Sequence, residues 1–137
     1  MPRQARAWLV LTVALALHVV DEASHDFLAF YNPMVTRLRA TLGWFPMPTF
    51  MFWPWLIGLT LLVLLLLSLT PAVSHGGRWV KLAGYPFAVL MLLNGIGHIA
   101  ISIAEGRMIA GVWTAPVLLA GSIYLVSALR SKSGSAD

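Results

Sequence analysis

The chain has 137 residues, of which 59% are hydrophobic and 10% charged, with a mean hydropathy of +0.83. A water-soluble domain carries about 25% charged residues, so this composition excludes an ordinary soluble globule and points to one integral membrane domain. The net charge of +4 comes from basic residues scattered at the ends of apolar segments, which excludes a phosphate-binding patch and a nucleic-acid partner; the absence of cysteine excludes disulfides, thiolate metal sites and cysteine nucleophiles.

Four apolar stretches each have the roughly 20 residues needed to cross a ~30 Å hydrocarbon core. They predict an all-α fold, a four-helix transmembrane bundle forming a single domain over residues 1–130, with a disordered polar tail at 131–137. The first span runs from Arg6 to Phe30. Its start resembles a signal peptide, with Arg3 and Arg6 before an apolar run and Ala14-Leu15-Ala16 behind it. The polar residues that follow continue the helical pattern, so the segment reads as a retained span. Tyr31-Asn32-Pro33 reads as its stop, and Arg37 and Arg39 fall in an outer interfacial segment. A dense aromatic run from Trp44 to Trp55 leads into the second span, Thr49 to Leu69, where Pro54 is placed to kink the helix and open a lateral gap. The third span, Leu82 to Ala104, and the fourth, Met108 to Leu129, are separated only by Gly106 and its charged neighbours, which predicts a tight antiparallel hairpin. With both termini inside, Arg3, Arg6, Arg78, Lys81, Arg130 and Lys132 are cytoplasmic and only Arg37, Arg39 and Arg107 are outside, which favours an N-in, C-in orientation. The expected location is a bacterial inner membrane or another plasma membrane.

The first span carries an unusual passenger: His18-Val19-Val20-Asp21-Glu22-Ala23-Ser24-His25-Asp26. Each charge at mid-bilayer costs on the order of 3 kcal/mol, so a chain that keeps such a cluster is expected to turn it inward and use it. His18, Glu22 and His25 share one helix stripe at i, i+4, i+7, with Asp21 on its edge. In the third span Asn94, His98 and Glu105 form a second stripe, flanked by Gly95 and Gly97, which permit close approach. Counting at 1.5 Å per residue, His18 and Asn94 each lie about 18 Å deep, with Asp21, Glu22 and His98 one turn further out. Neighbouring first and third spans would bring these groups to one level.

His18-x-x-Asp21-Glu22 and Asn94-x-x-x-His98 together resemble the HXXEE-motif family of small integral membrane proteins, with Asp in place of the first Glu. The resemblance covers the chain from the first span to the start of the fourth. The family's Y-x-P-G falls here on Met108-Ile109-Ala110-Gly111, where only the glycine matches. The resemblance implies a small helical membrane protein and carries no assigned chemistry, so mechanism has to come from the residues.

Three readings follow. In the first, the protein is an intramembrane enzyme performing acid–base chemistry (isomerisation, cyclisation or epoxide opening) on a small lipophilic substrate. Asp21 and Glu22 act as acid or cation stabiliser, His18 and His98 as base or orienting partners, and Asn94 as hydrogen-bond donor. Trp53, Met108, Trp113 and Thr114 are expected to line the substrate pocket. This reading needs no cofactor. In the second, His18, Glu22, His25 and His98 hold a single divalent zinc, iron or manganese ion. In the third, the protein is a proton relay or interaction subunit; against a relay, the second and fourth spans offer only Thr60, Ser68, Ser122 and Tyr124 in the inner half. The structural alternative to all three is that the polar residues only hydrogen-bond the spans together. The expected partners are the lipid bilayer and the substrate, with a homo-oligomer left open. Phosphate loops, nucleophile elbows and dinucleotide fingerprints are absent from the sequence.

Overall fold

A computed structural model describes residues 1–131; from residue 132 on, the expected tail lies outside the described residues. Among the described residues six helices are formed: α1 (Arg3–Ser24), α2 (Phe27–Leu42), α3 (Phe52–Ser68), α4 (Thr70–Ser74), α5 (Arg78–Glu105) and α6 (Ala115–Arg130). The fold is all-α, with no strand among the described residues. Three stretches are long and apolar enough to cross a membrane: Arg3–Ser24, Phe52–Ser74 and Arg78–Glu105. α6 is apolar but shorter, at 16 residues.

The largest departures from the expected span boundaries are at the end of the first span and the start of the fourth. The first span does not continue to Phe30, and Tyr31-Asn32-Pro33 is not its stop. The helix ends at Ser24, and Asp26 takes a left-handed conformation (φ 56°) before α2 begins at Phe27, with Pro33 inside it. Asp is among the few side chains that tolerate this region, and one such residue breaks the hydrogen-bond ladder while the apolar pattern runs on unchanged. The fourth span does not begin at Met108. Residues 108–114 are not helical and 110–114 form turns, pinned by the Ile109 N–H donating to Ser102 Oγ (3.2 Å) and the Arg107 N–H to the Ser102 carbonyl (3.2 Å).

The long helices pack in alternating directions. Arg3 at the start of α1 donates to Ser127 near the end of α6, and Asp21 near the end of α1 meets Thr114 at the start of α6. α1 and α6 are therefore antiparallel. Trp8 donates its indole N–H to the Leu66 carbonyl at 2.8 Å, which ties the start of α1 to the end of α3. α5 and α6 pack tightly through small residues: a Cβ on Gly84 would meet Leu129 at 2.8 Å, and one on Gly95 would meet Leu119 at 2.9 Å. α6 lies against both α1 and α5, while α3 packs on α1. The main core is built on Trp8, Leu11, Leu118, Leu125 and Leu129. A smaller cluster of Leu28, Tyr31, Val35 and Trp55 joins α2 to α3.

The outward faces are as apolar as the core. Val10, Val13, Leu17 and Val20 form an exposed stripe on α1, and Leu61, Leu64, Leu65, Leu90, Leu93 and Ile103 continue it around α3 and α5. So much contiguous exposed apolar surface is unfavourable in water and suits contact with hydrocarbon.

Candidate functional site

α1 and α5 run parallel, and near the end where both terminate they bring the two polar stripes together. His18, Glu22 and His98 are all buried. Oε1 of Glu22 lies 3.6 Å from Nε2 of His18 and 3.1 Å from Nε2 of His98. The two imidazoles meet edge to face, 4.7 Å between centroids. The partner of His18 across the bundle is thus His98, one turn beyond Asn94.

The other ring nitrogen of each histidine is held from behind. His98 Nδ1 lies 2.7 Å from the Ala110 carbonyl, which can only accept, so Nδ1 carries the proton. His18 Nδ1 lies 2.9 Å from Thr114 Oγ1. The Thr114 hydroxyl in turn donates to Asp21 Oδ2 at 2.9 Å and so accepts from His18. In their neutral forms both rings therefore turn a bare Nε2 lone pair toward one carboxylate oxygen. His18 Nε2 has no hydrogen-bond partner there, and neither does the buried Oδ1 of Asn94 nearby.

The segment at 108–114 makes this geometry possible. Gly111 has φ +85°, and a Cβ there would stand 2.5 Å from His98 Cε1, 2.6 Å from its Nδ1 and 3.0 Å from His18 Cε1. Both the backbone conformation and the space exclude a side chain. Asp21 Oδ2 accepts from the Thr114 N–H (3.1 Å) as well as its hydroxyl, so this carboxylate sits at the N-terminus of α6, where the helix dipole favours it. Asp21 thereby orients His18 through Thr114 and does not itself join the His–Glu–His group.

A cavity of 520 Å³ opens beside the cluster, with His18, Glu22 and Asn94 on its floor and Phe27, Trp55 and Met91 among its walls. Tyr31 also lines it; its hydroxyl donates to the Pro48 carbonyl at 3.0 Å, and burial holds the phenol above its ordinary pKa. A second cavity of 170 Å³ between α2 and α5 reaches His98 and Asn94 from the other side.

Several expected site residues lie elsewhere. Trp53, Met108 and Trp113 are exposed. Trp53 points away because α3 begins at Phe52, so Trp55, two residues and about 200° further round, takes the inward position and stacks on Phe27 at 6.0 Å. Met108 and Trp113 are turned outward by the loop that replaces the expected first turns of the fourth span, and they border a separate cleft of about 390 Å³ with Asp26 and Arg107. Thr114 is at the cluster as a hydrogen-bonding residue. His25 is not part of the His–Glu–His group: its side chain is 55% exposed and its Nδ1 lies 2.9 Å from Asp21 Oδ1. The sequence reading passed over Phe27, Tyr31 and Met91; the i, i+4 spacing of Phe27 and Tyr31 was the available signal, once α2 is seen as a separate helix. Compared with known protein families, with curated proteins and with solved structures, the chain gives no match.

Proposed function

We propose that the protein is a multi-pass membrane enzyme performing acid–base chemistry on a small lipophilic molecule. The observation that carries this reading is the 520 Å³ cavity, apolar in its walls and floored by His18, Glu22 and Asn94. Such a pocket solvates an apolar molecule and presents it with few, fixed polar groups. The cavity is lined by α1, α2, α3 and α5, and in a bilayer its ligand would arrive sideways from the lipid. Four spans with both termini inside, in a plasma membrane, fit the charge distribution and place the cluster in the outer half. The resemblance to the HXXEE-motif group belongs to the same proposal.

Glu22 and His98 hold a proton between them, because two facing lone pairs at 3.1 Å are otherwise repulsive. His18 Nε2 stands ready to accept one. Giving a proton at one end of a substrate while taking one at the other is the requirement of an isomerisation, a ring closure or an epoxide opening. Asn94 would hold a substrate oxygen through its amide.

The test is native mass spectrometry of the protein released from nanodiscs, on wild type, Gly58→Leu and Glu22→Gln. Gly58 lines the cavity and a Cβ there meets nothing within 4 Å, so leucine fills the pocket without disturbing the backbone. A co-purifying lipophilic molecule on wild type and Glu22→Gln that is missing from Gly58→Leu is the expected result. Equal occupancy in Gly58→Leu would remove the pocket from the proposal. In a turnover assay on the captured molecule, Glu22→Gln should lower kcat by about 10²–10⁴-fold.

A further inference from the structure

We infer that His18 Nε2, Glu22 Oε1 and His98 Nε2 form a binding site for one divalent transition-metal ion. The inference rests on the same cavity as the proposed reaction; with an ion bound, the lone pairs of His18, Glu22 and His98 go to the metal, and the ion replaces the Glu22–His98 proton as the acid there. The three atoms lie within 4.8 Å of one another, and the two distances to Glu22 Oε1 are 3.1 and 3.6 Å. Ligand bonds of about 2.0–2.1 Å in tetrahedral directions separate the ligand atoms by about 3.3–3.4 Å, so the two distances to Glu22 Oε1 suit an ion and the widest separation closes by up to about 1.5 Å when one binds.

Distance alone would also suit an ordinary hydrogen-bonded cluster. The orientation of the imidazoles argues further. Each has its Nδ1 occupied by an oxygen, the Ala110 carbonyl for His98 and the Thr114 hydroxyl for His18, with Asp21 behind the threonine. That fixes the tautomer and aims Nε2 at the ligand position, as outer partners do for metal-binding histidines. His18 is 1% exposed and its Nε2 has no partner among the described residues. One proton between Glu22 and His98 leaves His18 Nε2 with only the Asn94 amide in reach; one cation satisfies all three atoms. Two neutral imidazoles and one carboxylate suit zinc or iron(II). Three protein ligands leave an open coordination position beside a cavity whose surface includes His18 and Glu22. There the ion would act as a Lewis acid on an oxygen of the bound molecule.

The test uses the full-length protein in mild detergent, stripped with chelator and titrated with zinc(II) and, separately, cobalt(II). The expected result is one equivalent bound per chain, with cobalt giving the intense visible bands of a four- or five-coordinate site and zinc displacing it. Glu22→Gln and His98→Gln should abolish those bands, while His25→Gln and Gly58→Leu keep them. Thr114→Val, which removes the hydroxyl behind His18, should weaken zinc by about 10–100-fold. Zinc uptake unchanged by Glu22→Gln overturns the site; should the ligand variants fail to fold, the wild-type spectrum decides alone, and a pale six-coordinate spectrum like that of free cobalt overturns it. Lipophile capture by chelator-stripped and by zinc-loaded protein is measured in parallel. Capture without metal binding overturns the metal site and leaves the pocket; metal binding without capture does the reverse.

Discussion

Gly111 is the residue on which the cluster's geometry turns. Its positive φ and the 2.5 Å clearance to His98 Cε1 leave no room for a methyl group. Gly111→Ala should destabilise the protein by about 2 kcal/mol or more, read as a lowered thermal midpoint in detergent, and should displace His98 from Glu22. An unchanged midpoint would mean that the 108–114 loop relaxes freely, against the packing described. Tyr31 makes a prediction in pH. Its folded pKa is raised by burial, so the folded state keeps the phenolic proton after the unfolded chain has begun to lose it. The resulting stability is fully present below the unfolded value of about 10 and is lost as pH rises from there through the folded pKa. Wild type should therefore lose stability more steeply above pH ~10 than Tyr31→Phe, in parallel unfolding curves.

At the scale of elements, the site depends on how α1, α5 and α6 terminate. α1 stops at Ser24 because Asp26 turns left-handed, which folds α2 back so that Phe27 lies 5.5 Å from the His98 ring. α6 starts at Ala115 with the Thr114 amide and hydroxyl both given to Asp21. Asp21→Asn keeps the shape and removes the charge at that helix terminus. It should cost about 1 kcal/mol and accelerate amide exchange in the first turn of α6. Exchange confined to its wild-type rate would show that packing on α1 and α5, not the carboxylate, holds the start of α6.

Across the whole molecule the interior and exterior differ in packing more than in polarity. Trp8 is buried and bonded to Leu66 O, whereas Val10 on the same helix is 46% exposed. Trp8→Phe, which removes a buried donor and leaves a gap, should cost about 1–2 kcal/mol, while Val10→Ala stays within about 0.5 kcal/mol, both by thermal unfolding in nanodiscs. A large effect at Val10 would mean that this face is covered by protein, as in a homo-oligomer, in place of lipid.

The sequence by itself determined the all-α class, the apolar stretches and the two polar stripes, because hydropathy and helical spacing are local quantities that survive without knowledge of neighbours. It also made His18, Glu22 and His98 stand out, since ionisable groups inside apolar helices are costly wherever the helices pack. Only the tertiary structure decided which groups meet. The i, i+7 stripe grouped His25 with His18 and Glu22, but that stripe presumes an unbroken helix, and at His25 α1 has ended. Trp53 gave way to Trp55 because the first residue of α3 sets which face each tryptophan takes. The Ala110 carbonyl that orients His98 has no side-chain signature at all, and the turn beside it showed in the sequence only as Gly111, the one match to Y-x-P-G; both reach the cluster only because the chain before α6 loops instead of coiling. Those contacts join positions such as His18 and Thr114 that lie 96 residues apart, and such separations are fixed by packing, to which local pattern is blind.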